Sequence, residues 1–137
     1  MTHPDVERRI REFLETSALD AIAVYLYGSE ARGTATPFSD IDLAILYARP
    51  PSRTFDALPL EIESALERLV GGRPVQIVTL NDAPADLVHR VLRDGRLIVD
   101  RDRAARIRFE VRARNEFFDL APVRRRYRQP VLRAGGP

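Results

Sequence analysis

The chain of 137 residues contains no cysteine and only two histidines. Without cysteine it can form neither disulfides nor thiolate metal sites. His3 and His89 lie too far apart in the sequence to form a zinc cluster by themselves. No segment approaches the roughly 18 consecutive apolar residues of a membrane span, and the polar, acidic start MTHPDVERRI is not typical of a signal peptide. These absences predict a cytoplasmic protein with one main domain.

Lysine is also missing, so all 22 basic residues are arginine. GC-rich genomes favour arginine codons, and an arginine by itself is therefore weak evidence for phosphate recognition. Residues 1–100 contain 11 arginines and 16 acidic residues, whereas residues 101–137 contain 11 arginines and 4 acidic residues. The basic C-terminal part could be a solvated helix face, a docking surface for an acidic partner, or a contact for RNA phosphates.

Hydrophobic periodicity predicts helices that alternate with short strands, which indicates an α+β (mixed α/β) fold with one small sheet. We expect the folded domain over residues 1–120 and a basic tail over residues 121–137. Four apolar runs are typical of strands: 21–27, 40–47, 74–80 and 96–99, the last suited to a sheet edge. Four periodic segments are typical of helices: 6–15, 55–72, 81–95 and 101–119.

Two of these helices carry specific expectations. Asn81 or Asp82 is expected to cap the third helix, and Gly95 is expected to end it. His89 falls opposite the apolar side of that helix and is expected at the surface. The arginine-rich last helix has three apolar residues along one side: Ile107, Val111 and Phe118.

The segment SDIDLAIL places two aspartates at the start of the second strand. Because strand side chains alternate between faces, Asp40 and Asp42 share one face, while Ile41 and Leu43 point to the core. Two carboxylates at this spacing can bind one divalent cation, and hard oxygen ligands favour Mg²⁺ or Mn²⁺. Mg²⁺ usually completes its shell with water and substrate phosphates, so a site with few protein ligands suits it.

A glycine and a serine follow the first strand, and ten residues separate this serine from the first of these aspartates. Gly28 lets the backbone approach a ligand closely because it has no Cβ, and Ser29 is expected to cap a short helix whose free N–H groups suit a phosphate. Arg32, one turn further on, could reach a phosphate oxygen. A phosphate site that faces a metal site is what nucleotidyl transfer requires. The alternative interpretation is a glycine turn before a surface strand that carries two acids.

The stretch GSEARGTATPFSDIDLAI resembles the signature of the minimal nucleotidyltransferases of the DNA polymerase β superfamily: Gly-Ser, ten residues, then Asp-x-Asp. The resemblance is strongest over residues 21–47. It implies a small nucleotidyltransferase fold, a metal site at Asp40 and Asp42, and ATP as substrate. It also implies an antitoxin role, with AMP transferred to a tyrosine of a HEPN-domain toxin whose RNase activity is thereby blocked. The nucleotide-binding residues that it suggests are Gly28, Ser29, Arg32, Gly33 and Ser39.

One position departs from the family pattern. The superfamily uses a third carboxylate on a neighbouring strand, and in this chain Gln76 stands where that acid is expected. Glutamine can coordinate a metal through its carbonyl oxygen, but it carries no charge and cannot act as a base. Asp82 is a poor substitute, since it lies six residues further on, roughly 20 Å along an extended strand.

Three functions therefore stay open. The first is an active Mg²⁺-dependent nucleotidyltransferase, and the second is a weak or inactive copy that neutralises its partner by binding. The third is an RNA-binding protein that uses the arginines of residues 101–128. Four aromatic residues are candidates for the site, one of which could stack on adenine: Tyr25, Tyr27, Phe38 and Phe55.

Overall fold

The computed structural model describes residues 2–17, 19–36, 38–49 and 57–119. The predicted basic tail and Phe55 lie outside these residues. Five helices and four strands follow one another in the described part: α1 (His3–Thr16), β1 (Ala21–Tyr27), α2 (Ser29–Arg32), β2 (Ile41–Tyr47), α3 (Ala57–Leu69), β3 (Val75–Thr79), α4 (Ala85–Asp94), β4 (Arg96–Asp100) and α5 (Arg103–Asp119). The predicted mixed α/β class is confirmed.

The four strands form one mixed sheet in the order β3-β2-β1-β4. β1 is antiparallel to both β2 and β4, whereas β2 and β3 are parallel. A parallel pair needs a crossover connection, and α3 supplies it. β4 lies at an edge of the sheet, as predicted, and the predicted strand over 40–47 begins one residue later, at Ile41.

The two faces of the sheet are covered by different helices. Ile41, Leu43 and Ile45 point to one face, where they pack with α1 and α3. Ala44 and Leu46 point to the other face, where α4 and α5 pack. The predicted alternation of β2 is therefore confirmed, and it leaves the Asp42 side chain on the α4 side of the sheet.

The start of α4 differs from the prediction. Neither Asn81 nor Asp82 caps the helix, because Pro84 occupies the N-cap position and makes no side-chain hydrogen bond. The Asn81 side chain instead accepts a hydrogen bond from Tyr47 N (2.9 Å) and donates one to Tyr47 O (3.0 Å), which satisfies the backbone at the end of β2. Gly95 ends the helix, as predicted, and a Cβ there would overlap the carbonyl oxygen of Val91.

Helix α5 presents its apolar side away from the sheet. Ile107, Val111 and Phe118 do share one side, as predicted, but all three are exposed. The side that meets the sheet holds the buried Ala113 and a polar contact in which the Tyr25 hydroxyl donates to Glu110 Oε1 (2.6 Å). The helix carries apolar residues on two sides, so periodicity did not distinguish the packed side.

The C-terminal end of α5 also corrects the expectation for His89. This side chain is half-buried, because its ring stacks on Phe117 with the ring centroids 3.6 Å apart and the planes 4° apart.

None of the helices in the described part of the chain is long and apolar enough to cross a membrane.

Candidate active site

Gly28 turns the chain at the end of β1. Its backbone has φ 74° and ψ −150°, a region that residues with a side chain rarely adopt. A Cβ at this position would also overlap the Oδ2 oxygen of Asp42. The turn therefore requires glycine for two reasons, and one of them is the close approach of the Asp42 carboxylate.

The short helix that follows begins differently from the prediction. Gly28, and not Ser29, is the N-cap of α2, because the positive φ of Gly28 already turns the chain into the helix. Ser29 is the first helical residue, and its carbonyl oxygen accepts a hydrogen bond from Thr34 N (3.0 Å). Gly33 closes the single turn in the left-handed conformation with φ 73°. One turn of helix has a small dipole, so an anion here would be bound mainly through individual N–H groups.

The two aspartates lie at the N-terminal end of β2, beside β3. Asp42 is paired with Gln76 in the parallel register, and Gln76 Nε2 donates a long hydrogen bond of 3.4 Å to Asp40 Oδ2. Burial raises the pKa of Asp42 above its ordinary value, and the nearby Asp40 raises it further, whereas Arg32 and Arg90 partly offset the increase. The structure therefore brings Asp40, Asp42 and Gln76 together, with the carboxylates close enough to repel each other.

A cavity of about 300 Å³ opens at this point. Arg32 of α2 and Arg90 of α4 contribute cations to its wall, and both act electrostatically on Asp42. Burial and the Asp42 carboxylate raise the pKa of the Tyr27 hydroxyl, which therefore stays protonated at neutral pH. The lining residues are Tyr27, Gly28, Arg32, Asp42, Arg90 and Asp94.

The sequence did not indicate Arg90 or Asp94 as site residues. Arg90 and Asp94 are four residues apart, which places them on one side of α4. This spacing was the available signal in the sequence that the two side chains lie together. Only the packing of α4 on the sheet directs that side to Asp42. Of the candidate aromatics, Tyr27 lines the cavity, whereas Tyr25 bonds to Glu110 on α5 and Phe38 is exposed.

A buried carboxylate next to the Gly28 turn was also not predicted. Glu30 is buried, and its Oε1 lies 2.6 Å from Arg73 Nη1, while its Oε2 contacts His3 Nδ1. Arg73 Nε donates to the carbonyl oxygen of Ser39 (3.0 Å). A one-turn helix has no periodic face from which the burial of Glu30 could be predicted.

The same contacts hold Asp40 in place. The carbonyl oxygen of Ser39, the residue before Asp40, accepts a hydrogen bond from Arg73 Nε. The backbone N–H of Ile41, the residue after Asp40, donates to the carbonyl oxygen of Pro74 (2.8 Å). The Ser39 hydroxyl accepts a hydrogen bond from Thr36 N (2.9 Å), so it takes part in the loop turn. A role for Ser39 in nucleotide binding stays a prediction.

The donor set fits a hard divalent cation. Asp40 and Asp42 offer carboxylate oxygens, and a rotation of the Gln76 amide would add a carbonyl oxygen beside them. Within the described residues, no group of three histidine, aspartate or glutamate side chains could hold a metal ion. Two carboxylates and an amide are a suitable set for Mg²⁺ or Mn²⁺ that also binds phosphate oxygens, and not for zinc.

Comparison with known proteins identifies the class. The family model for polymerase β nucleotidyltransferases matches residues 8–104. This chain therefore belongs to the polymerase β nucleotidyltransferase family, and the resemblance found in its sequence is confirmed.

A protein of Methanocaldococcus jannaschii, named provisionally as a protein adenylyltransferase, is 31% identical over 94 residues. The match covers 61% of this chain and spans 61% of the length of that relative. A solved structure described as a minimal nucleotidyltransferase is 31% identical, with a TM-score of 0.55, and the match covers 70% of this chain and 95% of the other.

Two solved complexes contain chains with the same fold. A chain from a toxin–antitoxin complex with AMP-PNP has a TM-score of 0.77 at 24% identity, and the match covers 92% of this chain and 98% of the other. A chain from the complex of a tri-AMPylated Shewanella oneidensis HEPN toxin with its MNT antitoxin has a TM-score of 0.75 at 21% identity. That match covers 96% of this chain and 99% of the other. At these identities the likeness concerns the fold.

Proposed function

We propose that this chain is an antitoxin that transfers AMP from Mg-ATP to a tyrosine of a HEPN-domain toxin. The observation that carries this proposal is the placement of the Asp42 carboxylate directly against the Gly28 turn. This contact supports the proposal, because a metal held by Asp42 would be adjacent to phosphates bound at the turn, as transfer of a nucleotidyl group requires.

Each residue of the site has a role that follows from its position. The backbone at Gly28 and Ser29 would bind the β- and γ-phosphates, because N–H groups at the start of a helix have no carbonyl partner within it. Arg32 and Arg90 would offset phosphate charge from two sides of the cavity. Asp40 and Asp42 would hold the divalent cation, which when bound neutralises charge on the phosphates and orients the attacking and leaving oxygens.

The proposed step is a substitution at phosphorus. The tyrosine oxygen attacks the α-phosphorus of ATP, and the bond from that phosphorus to the oxygen bridging the β-phosphate breaks, so that pyrophosphate leaves with the electron pair. The tyrosine proton passes to water, because the Gln76 amide cannot accept it. The absence of a carboxylate at this position predicts slow transfer, since general-base assistance is typically worth roughly 10²–10⁴ in rate.

The relatives support both the reaction and the partner. One is named provisionally as a protein adenylyltransferase, and two structures with this fold are toxin–antitoxin complexes, one of which contains an AMPylated HEPN toxin. A second candidate is a module that neutralises the toxin by binding alone, and Gln76 in the register of Asp42 favours it. RNA binding rests only on the arginine content of the C-terminal part.

Calorimetric titration with Mg-ATP tests the site. The double variant Asp40→Asn/Asp42→Asn should lose Mg²⁺-dependent ATP binding and keep its fold, because neither side chain belongs to the apolar core. The matched control is Asp20→Asn/Asp82→Asn, which removes two exposed acids outside the cavity. Normal Mg-ATP binding by the first variant would refute the site. Transfer of labelled AMP to the purified toxin then separates the enzyme from the binding module.

A further inference from the structure

The outward side of α5 carries an exposed apolar stripe, in which only Phe118 contacts other rings of the described residues, edge-on against His89 and Phe117. Ile107, Val111 and Phe118 are 39%, 50% and 61% exposed, and they are three of the six large apolar residues that are exposed in the described part of the chain. The opposite side of the helix is occupied, since Ala113 is buried and Phe117 stacks on His89. A soluble helix rarely keeps three large apolar residues on its outer side unless another surface covers them.

Two residues of opposite charge lie on one flank of this apolar stripe. Arg108 lies near the start of the flank and Asp119 near its end, each roughly 80–100° around the helix from the centre of the stripe, and both are exposed. Within the described residues neither of the two takes part in an ion pair. The flank is therefore basic at one end and acidic at the other, with its charges available to another molecule.

We propose that this side of α5 binds the same side of α5 in a second copy of the chain, with the two helices antiparallel. In an antiparallel pair related by a two-fold axis, a given flank of one helix meets the same flank of the other, in the reverse direction. Arg108 at the basic end of the flank then faces Asp119 at the acidic end of the second copy. In a parallel pair, Arg108 would face the opposite flank, which carries Arg103 and Arg114 and whose acid Glu110 already binds Arg106.

The apolar residues fit the same arrangement. Residues four apart on a helix leave a gap that accepts a large side chain of a facing helix. In the register that places Phe118 between Ile107 and Val111 of the second copy, Arg108 lies opposite Asp119. A single register therefore satisfies both the apolar stripe and the charged flank.

The expected dimer is weak. In this register residues 108–119 of each helix lie opposite one another, which is about 18 Å of helix at 1.5 Å per residue, and Ile107 lies one residue beyond this stretch. A contact of this length lies at the low end of specific interfaces, below roughly 1,200 Å² of total buried area. We therefore expect a dissociation constant in the micromolar range, which weakens further at high salt.

Sedimentation velocity of the full chain, without nucleotide, tests the proposal over roughly 1–500 μM. The wild type should pass from monomer to dimer as the concentration rises. Val111→Asp should keep it monomeric at every concentration, because a charge would enter the centre of the contact. The matched control is Phe38→Asp, which alters an exposed aromatic residue of the loop before β2 and should leave the dimer unchanged.

Charge reversal tests the orientation. Arg108→Glu should weaken the dimer roughly 3- to 10-fold, since two symmetric exposed pairs are lost, and Arg108→Glu combined with Asp119→Arg should restore it. If Arg108→Glu weakened the dimer only by disturbing the fold, the added Asp119→Arg change would not restore dimerisation. Three results would overturn the proposal: a monomer at all concentrations, a dimer that tolerates Val111→Asp, or an Arg108→Glu defect that Asp119→Arg does not restore. The experiment involves neither ATP nor a toxin, so it is independent of the proposed function.

Discussion

The loop from Gly28 to Asp42 and helix α5 are each held by an arginine that binds a glutamate, but the two glutamates differ in burial. The Glu30 side chain is 1% exposed and that of Glu110 is 14% exposed. Glu110 also accepts a hydrogen bond from the Tyr25 hydroxyl. Its partner Arg106 forms a second ion pair, with Asp100 (3.0 Å). The loop that positions Asp40 thus depends on one deeply buried charge pair, whereas α5 depends on a network of contacts that is partly open to water.

The largest expected effect is the loss of Arg73. Arg73→Met leaves the Glu30 carboxylate buried with His3 as its remaining partner, and we expect it to lower the free energy of unfolding by about 3 kcal/mol. The matched change in the other region is Arg106→Met, for which we expect about 1–2 kcal/mol because Glu110 keeps the Tyr25 hydroxyl and some water. Urea unfolding measures both.

Two results would contradict this comparison. Equal losses in the free energy of unfolding for the two variants would show that the burial of the glutamate does not determine how much stability is lost. If Arg73→Met costs most because Glu30 is left charged and buried, then Arg73→Met combined with Glu30→Met should recover most of the stability. Failure of this double variant to recover would assign the loss to the contact between Arg73 and Ser39.

The next effect concerns the chemistry of the loop region and rests on the proposed function. Gln76→Asp should raise the rate of AMP transfer to the purified toxin by roughly 10-fold or more, because a carboxylate supplies both a metal ligand and a proton acceptor. Gln76→Asn is the matched control, since it has the shape of the aspartate without the charge. Transfer of labelled AMP that Gln76→Asp does not increase would show that a third acid is unnecessary or lies elsewhere.

Tyr25→Phe probes the attachment of α5 to the sheet. It removes the hydrogen bond to Glu110 (2.6 Å), and we expect a loss of about 1 kcal/mol in the free energy of unfolding. Burial, together with the bond to Glu110, raises the pKa of the Tyr25 hydroxyl, so it remains a donor in alkaline solution. Tyr47→Phe is the control, because Tyr47 is also buried but its hydroxyl makes no hydrogen bond to the described residues. Similar losses for both would argue against the attachment.

The smallest expected effect is a gain of stability at the site itself. Burial and Asp40 raise the pKa of Asp42 above 3.8, so the folded state disfavours the ionised form. The free energy of unfolding should therefore decrease as the pH rises through this raised pKa. At pH 7 with EDTA, Asp42→Asn should raise the melting temperature by roughly 2–4 °C, whereas the exposed Asp20→Asn should not. An unchanged or lower melting temperature would mean that Asp42 is not strained by its neighbours.

The two regions also differ in how well their structure could be predicted. In the loop region, the predictions depended on the alternation of strand side chains and on the conformational freedom of glycine, which are local properties. Asp40 and Asp42 accordingly lie beside Gln76 on the expected strand. In α5 the prediction depended on which side of a helix is packed. This helix has apolar residues on two sides, and periodicity alone cannot distinguish them.

By itself, the sequence determined the nature and spacing of the candidate site: a glycine turn, two aspartates on one face of a strand, and a glutamine in place of a third acid. Only the tertiary structure decided that Glu30 is buried against Arg73, that Arg90 enters the cavity, and that Ile107, Val111 and Phe118 face outward. The physical reason is the range of the interactions. Backbone conformation and side-chain alternation are set within a few residues, whereas burial depends on elements that the chain brings together from distant positions.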